Sequence, residues 1–141
     1  MNLQESGEMY LETLYILSKD QDIVRSIDLA NAMGYSKPSI SRAVHNLQDQ
    51  GFLTMGEDGR LELTDKGLGV AQTIFDRHVF FSNYFIAIGV EPRKAIEDAC
   101  SLEHVISQET YEHMKKHINT VMEWDNKDHY TAYLKNKQAF L

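Results

Sequence analysis

Two short helical patterns separated by one glycine place the strongest constraint on how this chain can fold. The first begins at Ser26 and stops at Gly34, a residue that tolerates the positive φ of a helix end. The second opens at Ser36 or Lys37, with Pro38 in its first turn, where the missing N–H costs nothing. A helix, a tight glycine-containing turn and a second helix together predict a helix-turn-helix.

A β-hairpin is predicted directly after this pair of helices. Two short runs at residues 52–55 and 60–63 flank a link of glycines and acids at residues 56–59. Apolar residues alternate in the second run, and Arg60 lies beside the tip. A hairpin in this position is a wing, so the pattern predicts a winged helix-turn-helix.

The rest of the chain is predicted to be helical. Helices are expected at residues 4–18, 66–88, 91–106 and 108–123, followed by a short helix or partly ordered tail at residues 125–141. We therefore expect a mostly α fold with two domains. Residues 1–65 form the winged helix-turn-helix DNA-binding domain, and residues 66–141 form a helical domain.

Charge and cysteine usage restrict the classes of function. The chain has 141 residues, a formal net charge of −7 and one cysteine. The acidic balance argues against a non-specific nucleic-acid coat, but no acid lies between Pro38 and Gln48, which leaves room for a small sequence-reading surface. Neither a transmembrane helix nor a signal peptide is expected, and a single cysteine suits a reducing, cytoplasmic setting.

The start of the second short helix carries small hydroxyls and two cations. Hydroxyls and helix N-terminal N–H groups bind phosphates, and Arg or Lys can bond guanine edges. Recognition helices touch bases at this end. The alternative is a helical hairpin whose serines only cap. The residues expected to contact DNA are Arg25, Ser36, Lys37, Pro38, Ser39, Ser41, Arg42 and Arg60.

A second motif, in the C-terminal half, carries metal-ligand chemistry. Cys100, Glu103 and His104 stand at i, i+3 and i+4, which places a thiolate, a carboxylate and an imidazole on one helical face. Taken singly, a buried cysteine and a solvated Glu-His pair are the commoner explanations. His78 interrupts an otherwise apolar stripe, where its imidazole needs a hydrogen bond or a metal.

Other functions remain open from the residues. A Cys–His pair can support nucleophilic catalysis, but no oxyanion-hole signature accompanies it here, so we do not expect an enzyme. A redox sensor using Cys100 lacks a resolving cysteine. A metal-independent winged-helix DNA-binding or interaction module with a structural or redox-sensing Cys100 is the main alternative.

At this point the motifs match a known family. The chain resembles the diphtheria-toxin-repressor family of metal-dependent transcriptional regulators, and its length is similar to that of the short, manganese-responsive members. The resemblance covers Glu8 to about Trp124. It is carried by residues 8–12 (EMYLE), 36–41 (SKPSIS) and 63–67 (LTDKG), by Arg77-His78, and by Ala99-Cys100 with Glu103-His104.

The resemblance implies a ligand set. Met9, Cys100, Glu103 and His104 fall where iron-responsive members hold their activating ion, and manganese-responsive members use the positions of Glu12 and His78 for a second ion. An ancillary site of the iron-responsive type is not expected, because Ser82 and Ile96 replace two of its ligands. Thioether and thiolate favour softer metals, so Fe²⁺ is expected, with Mn²⁺ as the alternative and Co²⁺, Ni²⁺ or Zn²⁺ able to substitute in vitro.

The resemblance also implies the mode of action. Such a protein acts as a homodimer on a near-palindromic double-stranded operator, and a divalent ion activates it to repress metal-uptake genes. The helical domain at residues 66–141 is then the metal-binding and dimerisation domain.

Overall fold

The computed structural model describes residues 3–121 together with Tyr130 and Tyr133. Six α-helices and one two-stranded sheet lie within these residues, which confirms the mostly α prediction. In chain order they are α1 (Glu5–Asp20), α2 (Ser26–Met33), α3 (Lys37–Asp49), β1 (Leu53–Met55), β2 (Leu61–Leu63), α4 (Asp65–Ala87), α5 (Pro92–Leu102) and α6 (Gln108–Val121).

The chain packs as two compact units, and the division falls within α4, between Phe75 and Asp76. The domain boundary expected after residue 65 stays a prediction. Most of the predicted tail at residues 125–141 lies outside the described residues. No helix in the described part of the chain is both long enough and apolar enough to cross a membrane.

The first unit has an aliphatic core, because α1, α2, α3 and the beginning of α4 each turn apolar side chains inward. Leu11 and Leu14 of α1 are fully buried, as is Ile40 of α3. The cluster is completed by Val24, Leu29, Ala30, Val44, Leu47, Phe52, Leu53, Leu61 and Ala71.

Local sequence determines the helix-turn-helix. Gly34 ends α2 in the left-handed region with φ 70°, and its N–H donates to the Ala30 carbonyl at 2.9 Å. Ser36 caps α3, because its Oγ accepts the Ser39 N–H at 3.3 Å. The cap of α2 is Arg25, whose own N–H donates to the Asp28 carboxylate at 2.8 Å.

Hydrogen bonds and close packing connect the wing to the start of α4. The two strands pair antiparallel, with Leu53 opposite Leu63 and Met55 opposite Leu61. The Thr64 hydroxyl donates to the Gly51 carbonyl at 2.7 Å and accepts the Gly67 N–H at 3.1 Å. A side chain at Gly67 would overlap the Phe52 carbonyl, so the close approach of helix and hairpin requires glycine.

The second unit has an aromatic core built from the later part of α4 with α5 and α6. Phe81, Ala99 and Tyr111 are buried, and they are surrounded by Phe80, Phe85, Leu102, Ile106 and Met114. Ile88, the last residue of the helix predicted at residues 66–88, lies beyond the end of α4 at Ala87 and is exposed, and Gly89 turns the chain with φ 106°.

The helix predicted at residues 91–106 is shorter in the structure, where α5 ends at Leu102. After this shortened helix, Ser107 caps α6, with its Oγ accepting the Thr110 N–H at 3.1 Å.

Candidate functional site

A fully buried carboxylate forms the centre of the candidate metal site. Glu103 is 0% exposed, and its Oε2 lies 2.8 Å from Nδ1 of His78. Its Oε1 lies 3.3 Å from Nε2 of His104, whose side chain is also fully buried. The second unit therefore brings three of the predicted ligand residues into one cluster, here called the His–Glu–His cluster (His78, Glu103 and His104).

Two elements and a turn position these groups. His78 projects from α4, while Glu103 is the C-terminal cap of α5 with helical φ −58° and ψ −26°. The Glu103 N–H still donates to the Ala99 carbonyl at 3.0 Å, so the spacing from Cys100 to Glu103 stays helical. His104 lies beyond the helix, in the turn toward α6. The predicted single helical face therefore holds for Cys100 and Glu103, whereas His104 is placed by the turn.

The chemistry of the His–Glu–His cluster suits a divalent transition-metal ion. Imidazole nitrogen and carboxylate oxygen are ligands for iron, manganese, zinc and cobalt alike. A carboxylate removed from water is costly unless a cation or hydrogen-bond donors compensate its charge. Glu103 faces an imidazole nitrogen at each oxygen, and an ion bound there would supply the same compensation. The residues present therefore fit such an ion.

The remaining candidate ligands are Cys100, Met9 and Glu12. Cys100 is half-buried on α5, one turn before Glu103. Met9 and Glu12 belong to the first unit, where their spacing of three residues places them on one face of α1. Met9 is half-buried and Glu12 is 8% exposed, which is uncommon for a carboxylate.

Contacts around His78 reveal a residue that the sequence did not indicate. The Tyr130 ring packs edge-on against the His78 imidazole, with centroids 5.0 Å apart and planes at 86°. The Tyr130 backbone N–H donates to the Asn83 side-chain oxygen at 2.7 Å. No local pattern signals this contact, because the two rings are far apart in the chain.

The candidate DNA surface lies on the first unit. Lys37, Pro38, Ser41 and Arg42 are exposed at the beginning of α3, and Ser39 is half-buried through its bond to the cap. The exposed residues are accessible to a partner molecule.

Two more predicted DNA contacts meet at the tip of the wing. The Arg25 Nε donates to the Asp58 carbonyl at 3.0 Å, and guanidinium nitrogens of Arg25 and Arg60 each lie 3.9 Å from the Asp58 carboxylate. The Arg60 backbone N–H, assisted by the charges of both arginines, lowers the pKa of Asp58 below its ordinary value. Asp58 was not singled out from the sequence, although its place in the glycine-flanked turn is the signal that could have found it.

Comparisons with known proteins match two family models to this chain. Residues 2–61 match the family model described as iron dependent repressor, N-terminal DNA binding domain. Residues 64–127 match the model described as iron dependent repressor, metal binding and dimerisation domain.

Individual relatives include a transcriptional regulator and an iron-dependent repressor. The chain is 33% identical over 101 residues to the transcriptional regulator MntR of Salmonella typhimurium, covering 72% of this chain and 64% of the relative. It is 29% identical over 118 residues to the iron-dependent repressor IdeR of Mycobacterium tuberculosis, covering 83% of this chain and 51% of the relative. The match therefore spans between half and two-thirds of these relatives' lengths.

Solved structures share the fold. The manganese regulator SloR superimposes with a TM-score of 0.71 at 24% identity, over 84% of this chain and 55% of SloR.

Proposed function

Because the chain belongs to the iron-dependent repressor family, we propose that it is a metal-dependent DNA-binding transcriptional regulator rather than an enzyme. The observation that carries the proposal is the buried Glu103 between the His78 and His104 imidazoles, in a chain that also presents an exposed helix-turn-helix. The proposed activity is repression of metal-uptake genes by a cytoplasmic homodimer on a near-palindromic operator. The proposed boundary between the DNA-binding and metal-binding parts follows residue 65.

The proposed ligands of the activating ion are Met9, Cys100, Glu103 and His104. Glu12 and His78 would serve a second ion. The burial of the His–Glu–His cluster supports this assignment, because it removes competing water from the donor atoms. The thioether and thiolate favour Fe²⁺, with Mn²⁺ as the alternative, and both metals occur in the names of related proteins.

The proposed switch depends on which unit supplies each ligand. Met9 and Glu12 belong to the unit that carries the helix-turn-helix, whereas Cys100, Glu103 and His104 belong to the other unit. An ion bound by both sets would link the two units and so set the distance between the two recognition helices of a dimer. Those helices must match major grooves about 34 Å apart or a multiple of that distance.

DNA recognition is assigned to the exposed start of α3 and to the wing. Lys37 and Arg42 supply the cations for phosphates or guanine edges, and the hydroxyls of Ser36, Ser39 and Ser41 supply further hydrogen bonds. Pro38 lies in the first turn of α3. Arg60 contributes from the wing, and Arg25 contributes from the N-cap of α2, with its side chain bonded to the wing tip.

The experiment that tests this function uses protein purified anaerobically under reducing conditions. A duplex is selected from a random DNA pool by the Fe²⁺-loaded protein, and its affinity is then measured with Fe²⁺, with Mn²⁺ and with a chelator. We expect binding at least about tenfold tighter with the preferred ion, which corresponds to a coupling free energy of about 1.4 kcal/mol. Equal affinity in the chelator would overturn the metal switch.

A double substitution tests the choice of ion. Replacing both soft ligands with carboxylates, as Met9→Asp with Cys100→Glu, should shift the preference from Fe²⁺ toward Mn²⁺. The readout is the ratio of the two metal affinities measured on the same preparation. An unchanged ratio would show that these two positions do not set selectivity.

A further inference from the structure

We propose that Arg77 is a positioning residue for the metal site, because it holds the turn that carries Glu103 and His104. This inference rests on the proposed function. Arg77 is 8% exposed, and its Nη1 donates to the carbonyl oxygens of Glu103 at 3.0 Å and Ile106 at 2.7 Å. Its Nη2 donates to the Gln108 side-chain oxygen at 2.8 Å.

The position of Arg77 follows from the end of α5. The last carbonyls of a helix have no partner within the helix, and buried carbonyls need a donor. Nη1 of Arg77 supplies charge-assisted bonds to the Glu103 carbonyl at the cap and to the Ile106 carbonyl beyond it. The guanidinium also lies 5.4 Å from the centre of the Tyr111 ring, which further restricts its orientation.

One short stretch of α4 therefore holds Glu103 from two sides. Arg77 bonds the Glu103 backbone carbonyl, and the adjacent His78 bonds the Glu103 carboxylate at 2.8 Å. Together they fix both the main chain and the side chain of the central carboxylate. A ligand oriented in advance binds its ion more tightly, and loss of such outer contacts typically costs about 10–100-fold in metal affinity.

Holding this turn requires the planar guanidinium group of arginine, which donates in several directions at once. A lysine at this position would keep the charge, but it has a single nitrogen and cannot serve the two carbonyls and Gln108 in the same arrangement. Gln108→Ala is the matched control, since of the three Arg77 bonds it removes the Nη2 bond and leaves both Nη1 bonds in place. It also removes the exposed bond that Gln108 Nε2 donates to the Glu112 carboxylate at 2.7 Å.

The test titrates Co²⁺ anaerobically into full-length wild-type protein, Arg77→Lys and Gln108→Ala, and follows the visible ligand-field absorption of the bound ion. We expect Arg77→Lys to bind about 10–100-fold more weakly with an altered spectrum, and Gln108→Ala to stay within about threefold of wild type. Thermal unfolding of the metal-free proteins reports any general loss of stability separately.

Each outcome decides a different point. Wild-type Co²⁺ affinity and spectrum in Arg77→Lys would overturn the role of Arg77, even if that variant melts at a lower temperature. If Arg77→Lys does not fold, Arg77→Gln is titrated in its place, because the shorter, neutral amide cannot make all three bonds. Wild-type Co²⁺ affinity and spectrum in Arg77→Gln would overturn the role of Arg77, and weaker binding with an altered spectrum would support it. Absence of Co²⁺ binding in the wild type would instead refute the proposed function itself.

Discussion

The two units of this chain place their polar groups in opposite ways. Of the five buried polar or charged residues among those described, Arg77, His78, Ser82 and Glu103 belong to the second unit and only Glu12 to the first. The first unit instead exposes its cations on α3 and on the wing, around an aliphatic core.

This difference indicates what each unit needs in order to function. Apolar burial is non-directional, so the first unit can form its core from many similar side chains and keep its cations for a partner outside. A buried polar group is stable only when its partners are in place, so the second unit depends on particular pairs. Substitutions in the His–Glu–His cluster of the second unit should therefore weaken metal binding. Substitutions in the first unit, apart from those at the proposed ligands Met9 and Glu12, should instead weaken packing or DNA contact.

The largest effect is expected when the Glu103 carboxylate is removed. Glu103→Ala removes the group that faces both imidazoles, and we expect divalent-metal affinity to fall by about 100-fold or more. Glu97→Ala on the same helix is the control, since its carboxylate is 56% exposed and pairs only loosely with Arg93 at 3.6 Å. Metal affinity is measured by Co²⁺ titration. Equal affinity of the two variants would contradict the claim that the second unit binds metal through its buried polar groups.

The next effect tests packing in the first unit with two glycines of one helix. Gly67→Ala forces a methyl group against the Phe52 carbonyl, and it should lower the free energy of unfolding by about 1–3 kcal/mol. Gly69→Ala meets no atom within 4 Å among the described residues and should raise that free energy by about 0.5–1 kcal/mol. Urea unfolding measures both, and a change of the same sign would contradict the close approach of wing and helix.

A smaller effect concerns the exposed surface of α3. Arg42→Ala should weaken binding to the selected duplex about tenfold and reduce the salt dependence of that binding by about one charge, with no change in the folded structure. Arg93→Ala removes the same charge from the second unit, where its side chain is 79% exposed, and should leave DNA affinity nearly unchanged. Filter binding at several salt concentrations distinguishes the two, and equal losses would mean that only net charge matters.

The smallest effect is at the wing tip. The folded-state pKa of Asp58 is lowered, first by the Arg60 backbone N–H, so ionised Asp58 stabilises the fold above its unfolded pKa of 3.8. That contribution is lost as the pH falls below 3.8 through the folded pKa. When the pH is lowered from 5 to 2, the Asp58→Asn variant should therefore lose slightly less stability than the wild type. The urea concentration at the unfolding midpoint, determined at each pH, measures this difference. Glu57→Gln controls for charge, and identical acid profiles of Asp58→Asn and wild type would contradict the assigned contacts.

Much of the first unit could be predicted from the sequence because its determinants are local. Gly34 and Ser36 specify the ends of the two helices through the conformation and hydrogen bonds of a few adjacent residues. The apolar spacing then specifies which face is buried, and the wing follows from its turn residues.

The His–Glu–His cluster was only partly predictable. Helical spacing indicated Glu103 and His104 as ligands, and His78 stood out as a polar group within an apolar stripe. The actual end of α5 was missed, because local periodicity carries no information about the Arg77 bonds to the carbonyls beyond Leu102.

What the sequence by itself determined is the set of elements, the exposed start of α3 and the types of candidate ligand. Only the tertiary structure decided that Glu103 lies between two imidazoles, that Arg77 holds its carbonyl and that Tyr130 packs on His78. The physical reason is that the ends of α2 and α3 depend on neighbouring residues, whereas the end of α5 and the buried polar cluster depend on groups that meet only after distant segments pack together.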